Sequence, residues 1–351
     1  MSAPAEGVPI VEVLKPGLLT TVQDAGRPGQ ARIALSRGGA MDRGALALAN
    51  AMVGNAPDEA GLEITGPGPT LRFHCDAWIA SVGARHGLTR AAGSEGGAGL
   101  ALPTQRPVFV TAGSVLRWQA PPVGWRSWLA VAGGLALPAV LGSRSTHLAA
   151  GIGPAPLAAA LRLPLAAQAQ GLARRRAATV LRRADPAAGR PWPSWQASED
   201  LPPEWPSIEL PVLAGRHLDL LPAESRRSLL DQSWTVSPQS NRQGMRLLGE
   251  ALDTRVLPQL ASEPVSLGTV QLPPSGEPVI LLAEHQTTGG YPRILEVASA
   301  GEHLLAQAGA GCRIRFRLVA LDEADRLARH RSRGFAQRLA GVGQACAYPP
   351  E

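Results

Sequence analysis

The sequence predicts a mainly β protein with a few helices, built as two tandem domains. Short apolar segments follow one another closely, from Glu63 to Trp118 in the first half and again around Pro278 to Leu282. Such spacing is typical of β-barrels and sandwiches. The second half also echoes the first, because Trp78 to Gly83 aligns with Pro278 to Ala283 at an offset of 200 residues. A chain of 351 residues is long enough for two domains, each with its own core.

The first half begins with a predicted strand, turn and strand over Val11 to Gln23, where Pro16 and Gly17 form the turn. Apolar residues from Ala45 to Val53 then repeat at helical spacing, and Gly54 stops the helix. Asp42 lies in or near the first turn, where it is expected to cap the helix. Further strands are predicted at Glu63–Thr65, Thr70–Phe73, Trp78–Val82, Pro107–Val110, Val115–Trp118 and Trp128–Ala132.

Composition predicts the domain limits. The expected domains are residues 8–150 and 206–325, joined by an Ala-, Pro- and Arg-rich bridge over 151–205 and followed by a C-terminal helix and tail over 326–351. A helix is predicted in the bridge near Ala166 to Leu181, and residues 85–107, rich in Gly and Ala, are expected to be a flexible excursion. In the second domain Cys312 to Leu318 alternates apolar residues with arginines, which predicts a half-buried strand with Cys312 in the core.

Charge and cysteine content limit the function. The net charge of +6 comes almost entirely from arginine, because Lys15 is the only lysine. The basic clusters Arg174–Arg176 and Arg182–Arg183 have no stacking aromatics among them, so no nucleic-acid partner is expected. The chain lacks an apolar run of spanning length and a signal-like N-terminus, so the expected compartment is the cytoplasm, without membrane attachment. Three scattered cysteines without ligand spacing argue against a metal site.

The most informative segment is the polar loop that follows the apolar strand Pro278 to Leu282. Glu284 to Thr288 offer a carboxylate, an imidazole, amides and hydroxyls, and Gly289-Gly290 permit positive φ or close approach to a ligand. The alternative is a hairpin loop whose polar side chains face water.

Several motifs in one order identify a family resemblance. They are Lys15-Pro16-Gly17-Leu18-Leu19-Thr20-Thr21-Val22-Gln23-Asp24, Gly39-Ala40-Met41-Asp42-Arg43, Leu62-Glu63-Ile64-Thr65, Leu141-Gly142-Ser143-Arg144-Ser145-Thr146, Trp234-Thr235-Val236-Ser237-Pro238 and Gln286-Thr287-Thr288-Gly289-Gly290-Tyr291-Pro292. Over residues 10 to 325 the chain resembles the urea-amidolyase-type biotin-dependent carboxyltransferase family, in the half known as allophanate hydrolase subunit 2 or as the C subunit of 5-oxoprolinase. It departs from the family pattern at Glu284-His285 and at Asn241, where aspartate–arginine pairs are usual.

The resemblance implies two cyclophilin-like β-barrel domains with a groove between or across them. One special loop from each copy, Gly39 to Arg43 and Gln286 to Tyr291, is expected to contribute to a site near their contact. The candidate acid–base groups are Asp42, Glu263 and His285. The candidate substrate-binding residues are Met41, Arg43, Asn241, Arg242, Gln271, Gln286, Thr287, Thr288, Gly289, Gly290 and Tyr291.

The implied activity is that of one component of a multi-subunit, ATP-dependent 5-oxoprolinase, which opens 5-oxoproline to glutamate with its sibling A and B subunits. Because no phosphate-binding Gly-x-x-x-x-Gly-Lys loop is present, ATP is expected to be used with a partner. One alternative is transfer of a carboxyl group from carboxybiotin to urea or a similar amide. Biotin would then arrive on a separate carrier, because Lys15 lacks the biotinylation context and no covalent biotin is expected. Another is a non-catalytic partner that regulates its sibling subunit.

Overall fold

The computed structural model describes residues 9–91, 99–166, 191–198, 200–202, 205–255, 257–258 and 260–346. The strands are β1 Ile10–Lys15, β2 Leu19–Gln23, β3 Gly61–Thr65, β4 Thr70–Phe73, β5 Ala77–Gly83, β6 Leu88–Arg90, β7 Leu100–Leu102, β8 Pro107–Val110, β9 Val115–Trp118, β10 Arg126–Val131, β11 Arg162–Pro164, β12 Ser207–Ala214, β13 Trp234–Val236, β14 Gly244–Leu248, β15 Glu263–Pro264, β16 Thr269–Gln271, β17 Val279–Leu281, β18 Thr288–Gly289, β19 Arg293–Val297 and β20 Arg313–Leu318. The helices are α1 Arg43–Val53, α2 Ala223–Asp231, α3 Glu302–Gln307 and α4 Leu321–Cys346, with 3-10 turns at Ala31–Ile33, Leu218–Leu220 and Ser299–Gly301.

Two sheets form the first half. One has the strand order β11-β1-β4-β9-β6-β7, and the other has the order β2-β3-β10-β5-β8. In the second sheet β5 and β10 are buried on both faces. Ile79 and Leu129 face the core between the sheets, whereas Ala80 and Ala130 face α1. This double burial explains why these two strands are continuous apolar runs.

The second half is a closed barrel in the order β12-β19-β16-β17-β14-β13-β20. Side chains along its strands point alternately into the barrel and outward. In β20, Ile314 and Phe316 point inward, and Arg313 and Arg315 point outward. Cys312 is 1% exposed and lies in this core, which confirms the prediction. Burial raises the pKa of its thiol to about 12, so the thiol is unreactive.

The halves share apolar contacts and hydrogen bonds. Met41, Leu46 and Trp128 of the first half belong to the same apolar cluster as the barrel core. At one edge of this contact Gln307 accepts hydrogen bonds from the Trp125 and Arg126 amides at 2.9 and 3.2 Å, and it donates to the Arg126 carbonyl oxygen at 3.0 Å. The two halves are therefore packed against each other through buried groups.

The predicted fold class is confirmed: the chain is mainly β, and its second half closes into a barrel. Asp42 caps α1 by accepting from the Ala45 amide at 3.0 Å, and Gly54 ends the helix with φ 73°, as predicted. The expected excursion over 85–107 instead contains β6 and β7, which pair antiparallel. β11, within the expected bridge, pairs with β1, and α4 starts at Leu321.

Two expectations concern segments outside the described residues. The bridge helix predicted near Ala166 to Leu181 and the basic clusters at 174–176 and 182–183 fall there, apart from Ala166 itself. Among the helices in the described part of the chain, none is long and apolar enough to cross a membrane. No group of three or more His, Cys, Asp or Glu side chains in the same part is placed to hold a metal ion.

Candidate functional site

The polar loop after β17 folds back as a short two-stranded ribbon. Within it β18 pairs antiparallel with β15, so that Gly289 lies opposite Glu263 and Thr288 lies opposite Pro264. The Thr287 carbonyl oxygen accepts from the Val265 amide at 3.1 Å. Backbone pairing thus holds the loop as a ribbon, and the exposure of Gln286 and Thr288 also agrees with the alternative of a hairpin loop whose polar side chains face water.

Gly289 is needed for space and not for an unusual backbone. Neither Gly289 nor Gly290 has a positive φ, so that part of the expectation is wrong. A Cβ on Gly289 would lie 2.5 Å from Nε2 of Gln271, a residue that is 1% exposed. A Cβ on Gly290 would approach the Leu260 carbonyl oxygen at 3.1 Å. The ribbon can lie directly over Gln271 because Gly289 has no side chain.

A groove of about 250 Å³ lies on the outer face of the barrel, beside this ribbon. Four of the predicted substrate-binding residues line it: Asn241, Gln271, Gln286 and Tyr291. Gln243, Arg246 and Val279 complete the lining with Gly244, Pro273 and Leu281. Gln286 donates from Nε2 to Oε1 of Gln271 at 3.1 Å. The groove therefore contains amide groups and one guanidinium, a set suited to a small amide.

Asn241 shapes one wall of this groove. Its Oδ1 accepts from the Gln243 and Gly244 amides at 2.8 and 3.2 Å. This turn leads the chain from β13 into β14 and places Gly244 and Arg246 on the outer face of the barrel, since Met245 between them points into the core. The oxygen of Asn241 is thereby occupied in holding the loop.

Arg242, predicted to bind substrate, is instead buried and fully engaged. Its Nε donates to Glu284 at 2.5 Å, its Nη1 donates to Glu63, and its Nη2 donates to the Gly39 carbonyl oxygen. The arginine and both glutamates are each 2% exposed or less. Burial alone would lower the pKa of Arg242, but the attraction of the two carboxylates outweighs it and raises that pKa. Arg242 therefore acts as an internal clamp between the halves.

Glu63 and Glu284 extend this clamp in both directions. Glu63 Oε2 accepts from the Met41 amide at 2.8 Å and from Trp128 Nε1 at 3.1 Å. Glu284 Oε2 accepts from the Ala149 amide at 3.0 Å. The Arg242 clamp thus holds the backbone at Gly39 and Met41, just before Asp42. It also holds Glu284, just before His285. Sequence reasoning did not assign these two roles; the available signal was a single carboxylate inside each apolar stretch.

Met41, Asp42 and Arg43 line a different cavity, a cleft of about 340 Å³. Its other walls come from the second half and from α4, through residues that include Ala283, Glu302, His303 and Arg331. Ala283 directly precedes Glu284, and its carbonyl oxygen accepts from the Gly38 amide at 3.1 Å. The Gly39–Arg43 loop therefore does lie where the two halves meet, whereas Gln286 and Tyr291 line the groove.

Burial shifts the pKa values of the ionisable side chains that line this cleft. It raises the pKa of Asp42 and that of Glu302. Burial lowers the pKa of His303 to about 4, so this imidazole is neutral at pH 7. Arg331 donates to Asp200 at 2.8 Å at the same edge. Asp42 is thus a partly buried carboxyl group that holds a proton more readily than an exposed one, which suits proton transfer.

Glu263 and His285, the other predicted acid–base groups, line neither the groove nor the cleft. Glu263 is ion-paired with Arg216 at 3.3 Å and with Arg293. His285 Nδ1 donates to the Gln286 carbonyl oxygen at 2.6 Å, and burial lowers the pKa of its ring. Both residues flank the ribbon, Glu263 opposite Gly289 and His285 at its start.

The predicted residues thus form two groups. Asn241, Gln271, Gln286 and Tyr291 meet at the groove, and Met41, Asp42 and Arg43 meet at the cleft. Thr287, Thr288 and Gly289 build the ribbon and line neither cavity. Gly290 and Tyr291 border a further cavity of about 540 Å³, which is also lined by Leu257, Leu260 and Leu272. Arg242 touches neither cavity and connects the elements that carry them.

This chain belongs to the carboxyltransferase-domain family, because residues 33–318 match the family described as carboxyltransferase domain, subdomain A and B. It is 34% identical to the C subunit of 5-oxoprolinase from Escherichia coli K12 over 330 residues, which are 93% of this chain and 97% of that protein. The Haemophilus influenzae protein of the same name is 32% identical over 329 residues, 91% of this chain and 94% of its own length.

Solved structures support the same assignment. The crystal structure of the K. lactis urea amidolyase matches with a TM-score of 0.78 and 28% sequence identity. The match covers 95% of this chain but 20% of that one, so the chain corresponds to about a fifth of the larger enzyme. The named relatives are enzymes or subunits of enzymes.

Proposed function

We propose that this chain is one component of a multi-subunit, ATP-dependent 5-oxoprolinase, which converts 5-oxoproline to glutamate together with sibling A and B subunits. The main support for the proposal is an alignment that covers almost all of both chains. It extends over 93% of this chain and 97% of a protein named as the C subunit of 5-oxoprolinase. The urea amidolyase of K. lactis, by contrast, is matched over 20% of its length. Agreement over nearly whole chains favours the same role in an assembly.

The groove and the cleft offer groups that fit this chemistry. Opening the lactam adds water to its carbonyl carbon and breaks the bond to the ring nitrogen, which leaves with a proton as the amine of glutamate. Gln286, hydrogen-bonded to Gln271, can hold the lactam amide in the groove, and Asp42 offers a carboxyl group of raised pKa in the separate cleft. ATP, bound with a partner subunit, supplies the free energy of ring opening.

Carboxyl transfer from carboxybiotin to urea or a similar amide is the second candidate. It is favoured by the family description and by the structural match to a urea amidolyase. In this case biotin arrives on a separate carrier. Lys15 ends β1, where it pairs with Thr70 of β4, and its neighbours Leu14 and Pro16 do not match the context of a biotinylated lysine. Intact mass after expression with active biotin ligase should show no biotin-sized increase, and an increase would make the chain its own carrier.

Reconstitution tests the proposal. The purified chain alone should release no glutamate from 5-oxoproline, whereas the chain assembled with the A and B subunits should release glutamate in an ATP-dependent manner. The matched control is the A and B mixture without this chain. Robust turnover by the single chain would contradict the partner requirement. Carboxylation of urea by the assembly with carboxybiotin, without glutamate release, would replace the first function by the second.

A further inference from the structure

Among the described residues that line the groove beside the ribbon, Arg246 has the only charged side chain, and none is Asp or Glu. Within the described part of the chain no carboxylate lies within ion-pair distance of the Arg246 guanidinium, unlike Arg242, Arg293 and Arg317. Because a cation in a concave, carboxylate-free surface attracts anions, the groove is suited to a negatively charged ligand.

The backbone of Arg246 is fixed although its guanidinium has no carboxylate partner. Its amide donates to Ser240 Oγ at 3.1 Å, and its carbonyl oxygen accepts from the Ser237 amide at 2.9 Å. Met245 and Leu247 on either side are buried in the barrel core at 1% exposure or less. The side chain of Arg246 therefore points outward, where it borders the groove.

An amide pair lies in the same groove. Gln271 accepts from Gln286 Nε2 at 3.1 Å, and its own Nε2 makes a long contact of 3.5 Å with the Tyr291 carbonyl oxygen. Gln286 is exposed and keeps its Oε1 and one N–H for a ligand. A lactam presents its N–H and carbonyl oxygen on the same side of the ring, and a carboxamide complements both. The cavity of about 250 Å³ is also smaller than the roughly 300–1,000 Å³ typical of drug-sized ligands, which suits one small ring.

We propose that this groove binds a lactam that bears a carboxylate, with the carboxylate on Arg246 and the lactam amide on Gln286, which Gln271 holds in place. This inference rests on the proposed function and adds to it the residue that selects the substrate. Arginine binds carboxylates through two parallel N–H donors, so charge and geometry favour the same ligand. Urea carries no charge and would leave Arg246 without a partner. Arg246 thus separates a carboxylated lactam from an uncharged amide.

Direct binding tests the inference on the full chain. Isothermal titration calorimetry with L-5-oxoproline and with 2-pyrrolidinone, the same ring without its carboxylate, should show tighter binding of the acid by roughly tenfold or more. Arg246→Gln should remove this preference, and Arg246→Lys should keep part of it. Arg315→Gln is the matched control, because Arg315 also points outward from a barrel strand but lies outside the groove. Equal binding of the two lactams by the wild type, or unchanged preference in Arg246→Gln, would overturn the proposal.

The rate of glutamate release by the assembly with the A and B subunits provides the second readout. This readout tests the role of Arg246 even if binding to the isolated chain is too weak to detect. Arg246→Gln should raise the KM for 5-oxoproline roughly tenfold or more and change kcat little, because the lost contact is made in the ground state as well as in the transition state. An unchanged KM would refute the role of Arg246 while leaving the oxoprolinase function intact. If the wild-type assembly releases no glutamate, the proposed function fails, and the calorimetric preference alone then decides whether the groove takes carboxylated lactams.

Discussion

Replacing Arg242 with methionine removes the cation that joins Glu63 to Glu284 and keeps most of the apolar volume of the side chain. After the change Glu63 retains the Met41 amide and Trp128 Nε1 as donors, with Arg126 Nε at 3.8 Å. Glu284 retains the Ala149 amide at 3.0 Å. Breaking a buried ion pair from one side costs ~3–5 kcal/mol, because a charge stays buried without its partner. We expect the free energy of unfolding to fall by about this amount.

Urea unfolding followed by tryptophan fluorescence measures this change, since Trp128 and Trp234 are fully buried.

Two further variants isolate the cause. Glu284→Gln in the Arg242→Met background removes one orphaned charge and keeps an oxygen for the Ala149 amide, so about 0.5–3 kcal/mol should be recovered. Arg255→Met removes an ion-paired but exposed arginine and should cause no measurable change. A free energy of unfolding for Arg242→Met within about 0.5 kcal/mol of wild type, the range of ordinary surface substitutions, would contradict this role of Arg242.

Two other substitutions test the cleft and the ribbon. Asp42→Ala should destabilise the fold by about 0.5–2 kcal/mol through loss of the α1 cap, whereas Asp42→Asn keeps a capping oxygen. Burial raises the pKa of Asp42, so the contribution of Asp42 to stability is complete below its unfolded pKa and falls as the pH rises. In thermal unfolding, Asp42→Asn should therefore become more stable relative to wild type as the pH rises from about 4 to about 7. Parallel stability curves for the two proteins would contradict this. Gly289→Ala should abolish binding of 5-oxoproline in calorimetry while the fold is retained, because the new Cβ displaces Gln271. Gly341→Ala on α4 is the control, since Gly341 has open space around it, and this variant should bind 5-oxoproline as wild type does. Unchanged binding by Gly289→Ala would remove Gln271 from the site.

The features that the sequence predicted correctly are those set by local chemistry. Strand positions follow from short apolar runs, and the limits of α1 follow from Asp42 and Gly54, whose preferences act within a few residues. Gln271 and Gln286 were both selected as site residues, and they do meet. Their proximity follows from one ribbon folding back over its neighbouring strand, a short-range event that a motif can specify.

Roles that depend on distant partners could not be predicted in the same way. Arg242 is predicted to bind substrate, but its guanidinium is occupied by Glu63 and Glu284, which lie 179 and 42 residues away. Nothing in the local pattern distinguishes an arginine that binds substrate from one that is neutralised inside the protein. Arg246 is the opposite case. Its outward direction follows from the alternation Met245, Arg246, Leu247, but its lack of a carboxylate partner among the described residues is visible only in the folded chain.

The Arg242 clamp connects the loops that carry the two cavities. A single guanidinium bonds the carbonyl oxygen of Gly39, ahead of Asp42, and the carboxylate of Glu284, ahead of Gln286. The two loops come from different halves, and polar groups buried at such a contact must be paired for the halves to pack. When Arg242 is paired with both Gly39 and Glu284, the cleft is therefore also held in a fixed position relative to the groove.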